Sequence, residues 1–336
     1  MPKLINLALQ GGGSHGAFAW GALDRMLEDE RIAIEGIVGT SAGAMNAAVT
    51  AYGLAIGGNK GARKSLRRFW EAVAERGAYS VMQPSWFDRL VCPGNIDYSP
   101  GWIVMDTLSR VFSPYQMNPG NYHPLRDILS EQIDFEELRR SDNVKLFVCA
   151  SNVTTNRLRV FEHSDISIDA VLASSCLPSL FQAVEINGDH YWDGGYMGNP
   201  PIFPIIYNCK SADVLLIMIN PIQTKQVPQT AQAILDRINT LSFNSSLMRE
   251  MRAINFVNRL VDSGFDDGGR LKKMLIHCID AEDEMNSLGV SSKLNVEREF
   301  LRWLFELGRS RADMFLQSHF DKIGRESSTS IEQRFL

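Results

Sequence analysis

Apolar and polar positions alternate in blocks along the first fifty residues. Leu4 to Leu9 is a short apolar run broken only by Asn6, and it ends in Gln10 and a burst of glycine. That is the pattern of a buried parallel strand entering a tight turn. Ala17 to Glu30 carries Phe18, Leu23, Met26 and Leu27 at helical spacing. Ile34 to Val38 is a second strand, and the alanine-rich stretch Ala42 to Tyr52 a second helix. Strand, helix, strand, helix predicts an α/β unit.

A basic cluster, Lys60, Arg63, Lys64, Arg67 and Arg68, opens a helix that continues through Phe69, Trp70 and Val73 and is read as a solvated helix face. Between Tyr79 and Pro124 the pattern breaks. Pro84, Pro93, Pro100, Pro114 and Pro119 interrupt a stretch rich in large apolar side chains: Met82, Trp86, Phe87, Trp102, Met105, Tyr115 and Met117. Such an insertion is expected to be irregular, and to form a lid or a wall for an acyl chain.

Periodicity resumes with a helix from Leu125 to Gln132 and strands at Lys145 to Ser151 and Arg157 to Phe161. A helix at Ile168 to Ser174 precedes a hairpin from Val184 to Tyr191 that turns at Gly188 and leads into Asp193-Gly194-Gly195. Val214 to Asn220 is a strand closed by Pro221. Thr230 to Ser263 reads as one long or kinked amphipathic helix, Met274 to Ile279 as a strand, and Val296 to Phe320 as a final amphipathic helix. The polar tail from Glu326 is expected to fray.

Composition narrows the class. The chain has 336 residues, 45% hydrophobic and 22% charged, with a net charge of −5. It can bury a core, and its acidic balance gives no electrostatic reason to expect nucleic acid. Its five cysteines, Cys92, Cys149, Cys176, Cys209 and Cys278, are widely spaced and form no CxxC pair, so free thiols are expected. The early apolar run is too short for a secretion signal, and nowhere do about 18 uncharged apolar residues run together. The expected location is cytoplasmic, with peripheral contact at a membrane or at a lipid or polyester surface.

Three motifs carry candidate chemistry. Gly11-Gly12-Gly13-Ser14-His15-Gly16 follows a strand and precedes a helix, so its exposed N–H groups and the helix dipole make an anion-binding loop. It also fits GxGxxG, but a dinucleotide site needs an acidic residue at the end of the second strand, and here Gly39-Thr40 runs straight into Ser41. Gly39-Thr40-Ser41-Ala42-Gly43 is a GxSxG between strand and helix, a sharp turn that exposes the serine hydroxyl and requires small flanks. Asp193-Gly194-Gly195, alone a plain turn, gains weight because the other two motifs demand a base.

An α/β-hydrolase would place its serine after several strands and finish on a catalytic histidine. Here Ser41 follows the second strand. Of the downstream histidines, His277 falls inside an apolar strand and neither it nor His319 sits beside a loop motif, so both are read as structural.

The set GGGSHG, GTSAG and DGG, in this order and at these separations, resembles the patatin-like phospholipase family in its bacterial cytoplasmic branch, over about residues 4 to 220. The resemblance implies an α/β fold of three layers, α/β/α, with a central, mostly parallel sheet. It also implies a Ser-Asp dyad without histidine that hydrolyses acyl esters of lipids. By position, Ser41 is the nucleophile, Asp193 the base and the backbone of Gly11, Gly12 and Gly13 the oxyanion hole, with Gly16, Gly39, Gly43, Gly194 and Gly195 supporting the turns. One site spread from Gly11 to Asp193 makes 1–222 a single catalytic unit, and 223–336 a mainly helical C-terminal extension packed on it. No metal-ligand cluster is spaced in the sequence, and the mechanism requires no cofactor.

Two positions depart from the family pattern, which commonly has an acid before the glycines and a Lys or Arg before the last one. This chain has Gln10 and His15. A mostly neutral histidine weakens the case for an anionic head group. Beside phospholipase A or lysophospholipase activity, neutral esters and hydroxyalkanoate storage polyesters are therefore open as substrates. A non-catalytic scaffold of the same fold is the reading from another class. Nothing in the sequence sets the oligomeric state.

Overall fold

The computed structural model describes residues 2–224, 226–265, 268 and 270–336. The chain runs β1 (Lys3–Leu9), α1 (Gly16–Glu28), β2 (Ile32–Thr40) and α2 (Ala42–Gly77), the last bent at Gly57 and Gly58 where the backbone leaves helical geometry. Three short helices follow, α3 (Trp86–Val91), α4 (Pro100–Ser109) and α5 (Pro114–Met117), then α6 (Pro124–Gln132) and α7 (Phe135–Arg140). Next come β3 (Lys145–Asn152), β4 (Leu158–Glu162), α8 (Ile168–Ser174), β5 (Val184–Ile186), β6 (Asp189–Asp193), α9 (Phe203–Asn208) and β7 (Asp213–Ile217). The final third contributes α10 (Ala231–Asp262), β8 (Leu275–Ile279), α11 (Glu282–Met285), α12 (Arg298–His319) and α13 (Ile331–Phe335).

These strands form one sheet in the order β5-β6-β3-β2-β1-β7-β8, with β4 also on β3. The five strands from β3 to β8 are parallel, and the hairpin β5-β6 and strand β4 are antiparallel additions at one side. Successive side chains of a strand point to opposite faces, and the sheet separates them accordingly. Ile5, Leu7 and Leu9 join one apolar core with α1, α2 and α12. Ala8, Val38, Val214 and Leu216 join a second, closed by Ile202 and Ile205, by Leu247 and Met251 of α10, and by Ile331 and Phe335 of α13. The result is the three-layer α/β/α arrangement with a mostly parallel sheet. Among the described residues no helix is long and apolar enough to cross a membrane.

Two local expectations are corrected. The tail does not fray: Ile331 and Phe335, four residues apart on α13, are both buried in the second core, and Ser330 caps that helix through the Gln333 N–H at 3.3 Å. The insertion after Tyr79 is also more regular than its prolines suggest, because serine residues and prolines at helix starts nucleate α3, α4 and α5. Ser85 forms a full capping box with Asp88. Many apolar side chains of this insertion remain in solvent, Trp86 at 74% and Tyr79 at 93% exposure, while Ile96 is buried.

Candidate active site

In the register of the sheet, Leu9 of β1 lies beside Gly39 of β2 and Ile217 of β7. Three parallel strands therefore end level, and the residues that follow them gather at one carboxyl edge, where ligands of open α/β sheets bind. There Ser41 has φ 55° and ψ −124°, a conformation costly for any residue with a side chain. The turn is held from both sides. The Ser41 N–H donates to Ser174 Oγ at 2.9 Å, that hydroxyl donates to the Cys149 carbonyl at 2.6 Å, and the Ser41 carbonyl accepts the first bonds of α2 from Ala44 and Met45. A side chain at Gly39 would collide with the Gly43 carbonyl, and one at Gly43 with the Leu9 carbonyl, which explains why both flanks of the serine are glycine.

The glycine loop lies directly on this turn: a Cβ at Gly11 would come 2.5 Å from that of Ser41. Gly11 itself is not free to donate, because its N–H is bound to Asn199 Oδ1 at 2.6 Å. This differs from the expectation that Gly11, Gly12 and Gly13 donate together. Among the described residues, the N–H groups of Gly12 and Gly13 have no hydrogen-bond partner, and Gly13 takes φ +58° at the start of a short 3-10 turn that feeds α1. Gly16 packs against Ala42 and Trp70, Gly194 against the Cys149 carbonyl and Gly195 against Phe243.

Asp193 closes β6 opposite Ala150 of β3 and is completely buried. Its backbone is fixed by the Cys176 carbonyl, which accepts its N–H at 2.8 Å, and by the Ser151 hydroxyl, which donates to its carbonyl at 2.8 Å. Carboxylate Oδ1 accepts the Gly195 N–H at 2.7 Å, while Oδ2 is buried with no hydrogen-bond partner. Burial pushes the Asp193 carboxyl up to about 6, against the opposing pull of the Gly195 N–H, the Ser41 side chain and the Lys293 charge. The neighbouring Cys176 thiol is pushed up to about 12 by burial and by Asp193, so it stays protonated. All five cysteines are free thiols.

Behind the glycine loop lies a layer of amides that the motifs do not reveal. Gln10 Oε1 accepts the N–H groups of Ile219 and Asn220 at 2.9 and 3.0 Å, and its Nε2 donates to the Asn199 carbonyl and to Asn244 Oδ1, both at 3.3 Å. A carboxylate at position 10 could not donate those last two bonds, so glutamine suits this chain where the family commonly has an acid. Asn220 Nδ2 in turn donates to the Gly11 carbonyl at 2.8 Å. His15 is buried, with Nε2 2.7 Å from Ser292 Oγ; burial and the Lys293 charge hold it down to about 3, so its ring is neutral.

The remaining histidines lie elsewhere. His277 Nε2 is 3.0 Å from Asp213 Oδ1 and its Nδ1 2.9 Å from Ser328 Oγ. This Ser-His-Asp array sits at the amino end of β7, opposite the edge that holds Ser41, and ties the C-terminal tail to the sheet. His319 ends α12 against Phe315. Among the described residues no group of three or more His, Cys, Asp or Glu side chains is arranged to hold a metal ion.

The fold places a strained serine and a glycine loop at the carboxyl edge of a mostly parallel α/β sheet. The chain belongs to the patatin-like phospholipase family: residues 7–206, well over half of its length, match that family. No curated protein matches the chain. Among solved structures it is similar to VipD from Legionella pneumophila, at 18% identity over 95% of this chain and 67% of that one, with a TM-score of 0.45. It is also similar to a chain of the heterodimeric ExoU-SpcU complex from the type III secretion system of Pseudomonas aeruginosa, at 17% identity over 96% of this chain and 52% of that one, with a TM-score of 0.37.

Proposed function

We propose that the chain is a serine acyl-ester hydrolase of the phospholipase A or lysophospholipase kind, with Ser41 as nucleophile and Asp193 as its base. The observation that carries this reading is Asp193, a buried carboxylate whose Oδ2 makes no hydrogen bond of ordinary geometry, which neighbours the Ser41 side chain and is raised by burial to about 6. A base with a pKa near the working pH takes a proton more readily than a solvated aspartate at about 3.9.

Ser41 Oγ attacks the acyl carbonyl carbon while its proton passes to Asp193. The carbonyl oxygen becomes an oxyanion, received by the N–H groups of Gly12 and Gly13. Each such donor is worth on the order of 3 kcal/mol of barrier, and the amino end of α2 adds its dipole. Collapse expels the alcohol, which takes the proton from Asp193, and leaves an acyl-Ser41. Water then gives a proton to Asp193 as it attacks the acyl carbon; the bond to Ser41 Oγ breaks, Ser41 takes the proton back from Asp193, and the fatty acid is released. The Gly11 N–H, held by Asn199 Oδ1, takes no part in this step.

The exposed Trp86, Leu90, Val104, Val111 and Phe112 of the insertion suit contact with a lipid surface, reached peripherally. Two ties support that reading: the Ile96 N–H donates to Ser291 Oγ at 3.2 Å, two residues before Lys293 that packs on Gly13, and Gln182 Nε2 donates to the Asn118 carbonyl at 2.8 Å. The motif-bearing part, 1–222, is taken as the catalytic unit, with 223–336 supplying β8, α10 and α12 around it. The neutral His15 keeps a second reading open, in which neutral esters or hydroxyalkanoate oligomers are preferred. A hydrolysis panel of phospholipid, lysophospholipid, neutral glyceride and hydroxyalkanoate oligomer, with Ser41→Ala as the blank, tests both. Turnover of the first two that vanishes in Ser41→Ala supports the leading reading; turnover confined to the last two supports the second.

A further inference from the structure

The segment 291–294 brings a cation to the glycine loop from the far end of the chain. The backbone carbonyl and Cβ of Lys293 fill the space beside Gly13, and its neighbour Ser292 holds His15. Lys293 Nζ donates to Asn220 Oδ1 at 3.0 Å and to Asn239 Oδ1 at 3.1 Å, and lies 5.4 Å above the ring of Phe243, which itself packs on Gly195. Both partners are neutral amides. Among the described residues no carboxylate comes within ion-pair distance; Asp193 and Asp236 act on it only from further away. The side chain is only partly exposed, yet an ammonium group has three hydrogens and two are used. A desolvated cation with neutral partners and a spare donor is poised for an anion.

We propose that Lys293 anchors an anionic group of the substrate, the phosphodiester of a phospholipid, beside the ester that Ser41 attacks. The inference rests on the dyad reading above and deepens it. It supplies the positive charge that the neutral His15 does not, and it places that charge on a residue outside the family's motifs. Burial holds the Lys293 amine down to about 8, so it is charged at neutral pH and loses its charge in mildly alkaline solution. The oxyanion itself is left to the Gly12 and Gly13 N–H groups.

The test compares monomeric dihexanoyl phosphatidylglycerol with the neutral dihexanoyl glycerol on wild type, Lys293→Gln and Lys293→Arg, with Ser41→Ala as blank. The expected result is a fall of at least tenfold in the ratio of kcat/KM for phospholipid over neutral ester in Lys293→Gln, expressed mainly in KM, with most of the ratio restored by Lys293→Arg. Inorganic phosphate is added as a competitor of the neutral ester. Inhibition of wild type that Lys293→Gln escapes assigns the site to phosphate in general, and no inhibition beside the lost ratio assigns it to the lipid head group. An equal fall on both substrates in a Lys293→Gln protein that melts like wild type would overturn the assignment. Hydrolysis persisting in Ser41→Ala would bring down the dyad reading instead, so the two failures are distinguishable.

Discussion

Asp193 holds the Gly195 N–H at 2.7 Å with Oδ1 and keeps Oδ2 buried without a partner. One oxygen orients the carboxylate, and the other has the free lone pairs that the proposed base would need, at a cost in stability. The carboxyl titrates at about 6 in the folded chain against an ordinary 3.8. A group raised on folding contributes stability that is fully present below 3.8 and lost as pH rises through 6. Above pH 6 the native state therefore carries a disfavoured carboxylate, on the order of 3 kcal/mol. Asp193→Asn is expected to lower kcat by about 10²- to 10⁴-fold. It should also melt higher than wild type at pH 8, with the difference fading toward pH 4. For wild type, kcat/KM on a neutral ester should fall below about pH 6; thermal melts and a pH-rate profile check both.

Ser174 acts on Ser41, the proposed nucleophile, through the backbone. Its hydroxyl accepts the Ser41 N–H and donates to Cys149, so Ser174→Ala leaves a strained serine with an unpaired buried N–H. The expected outcome is a loss of about 1–3 kcal/mol of stability and a larger fall in kcat than in KM, measured on a soluble ester. Unchanged kcat would show that the turn is held without it.

His277 has the partners of a catalytic histidine at the wrong end of the sheet. His277→Ala should leave Asp213 with only the Gly324 N–H, release the tail, and destabilise the chain by about 2–4 kcal/mol. Below its melting temperature the variant should keep near-normal turnover. Loss of turnover in the still-folded variant would argue for a triad.

Trp86 is 74% exposed at the start of α3 and stacks edge-on with Phe87 at 5.7 Å. Trp86→Asp is expected to reduce binding to phospholipid vesicles, with hydrolysis of long-chain lipids falling more than that of a short soluble ester. Co-sedimentation and a chain-length series measure this. Equal loss across chain lengths would remove the insertion from lipid binding.

Local pattern carried most of the architecture. The apolar runs at 4–9, 145–151 and 214–220 and the amphipathic stretches of α10 and α12 could be read because each buries a face whose period matches its element, although the third of these strands ends at Ile217. The motifs singled out Ser41 and Asp193 as candidates because glycines are demanded by close backbone approach, a local constraint. Longer-range partners were illegible. Ser174, Asn199, Asn220 and Lys293 reach the site through the fold, and no spacing marks a lone polar residue as the partner of another nearly two hundred positions away. The buried tail was missed because its two buried apolar residues, Ile331 and Phe335, are too few to announce a helix without the surface they pack on.

The account stands most directly on which serine is the nucleophile, and covalent labelling with a fluorophosphonate followed by peptide mapping measures it. The expected result is a single adduct on Ser41, absent in Ser41→Ala and formed slowly in Asp193→Asn. An adduct on Ser328 beside His277, or equal labelling of wild type and Ser41→Ala, would contradict it.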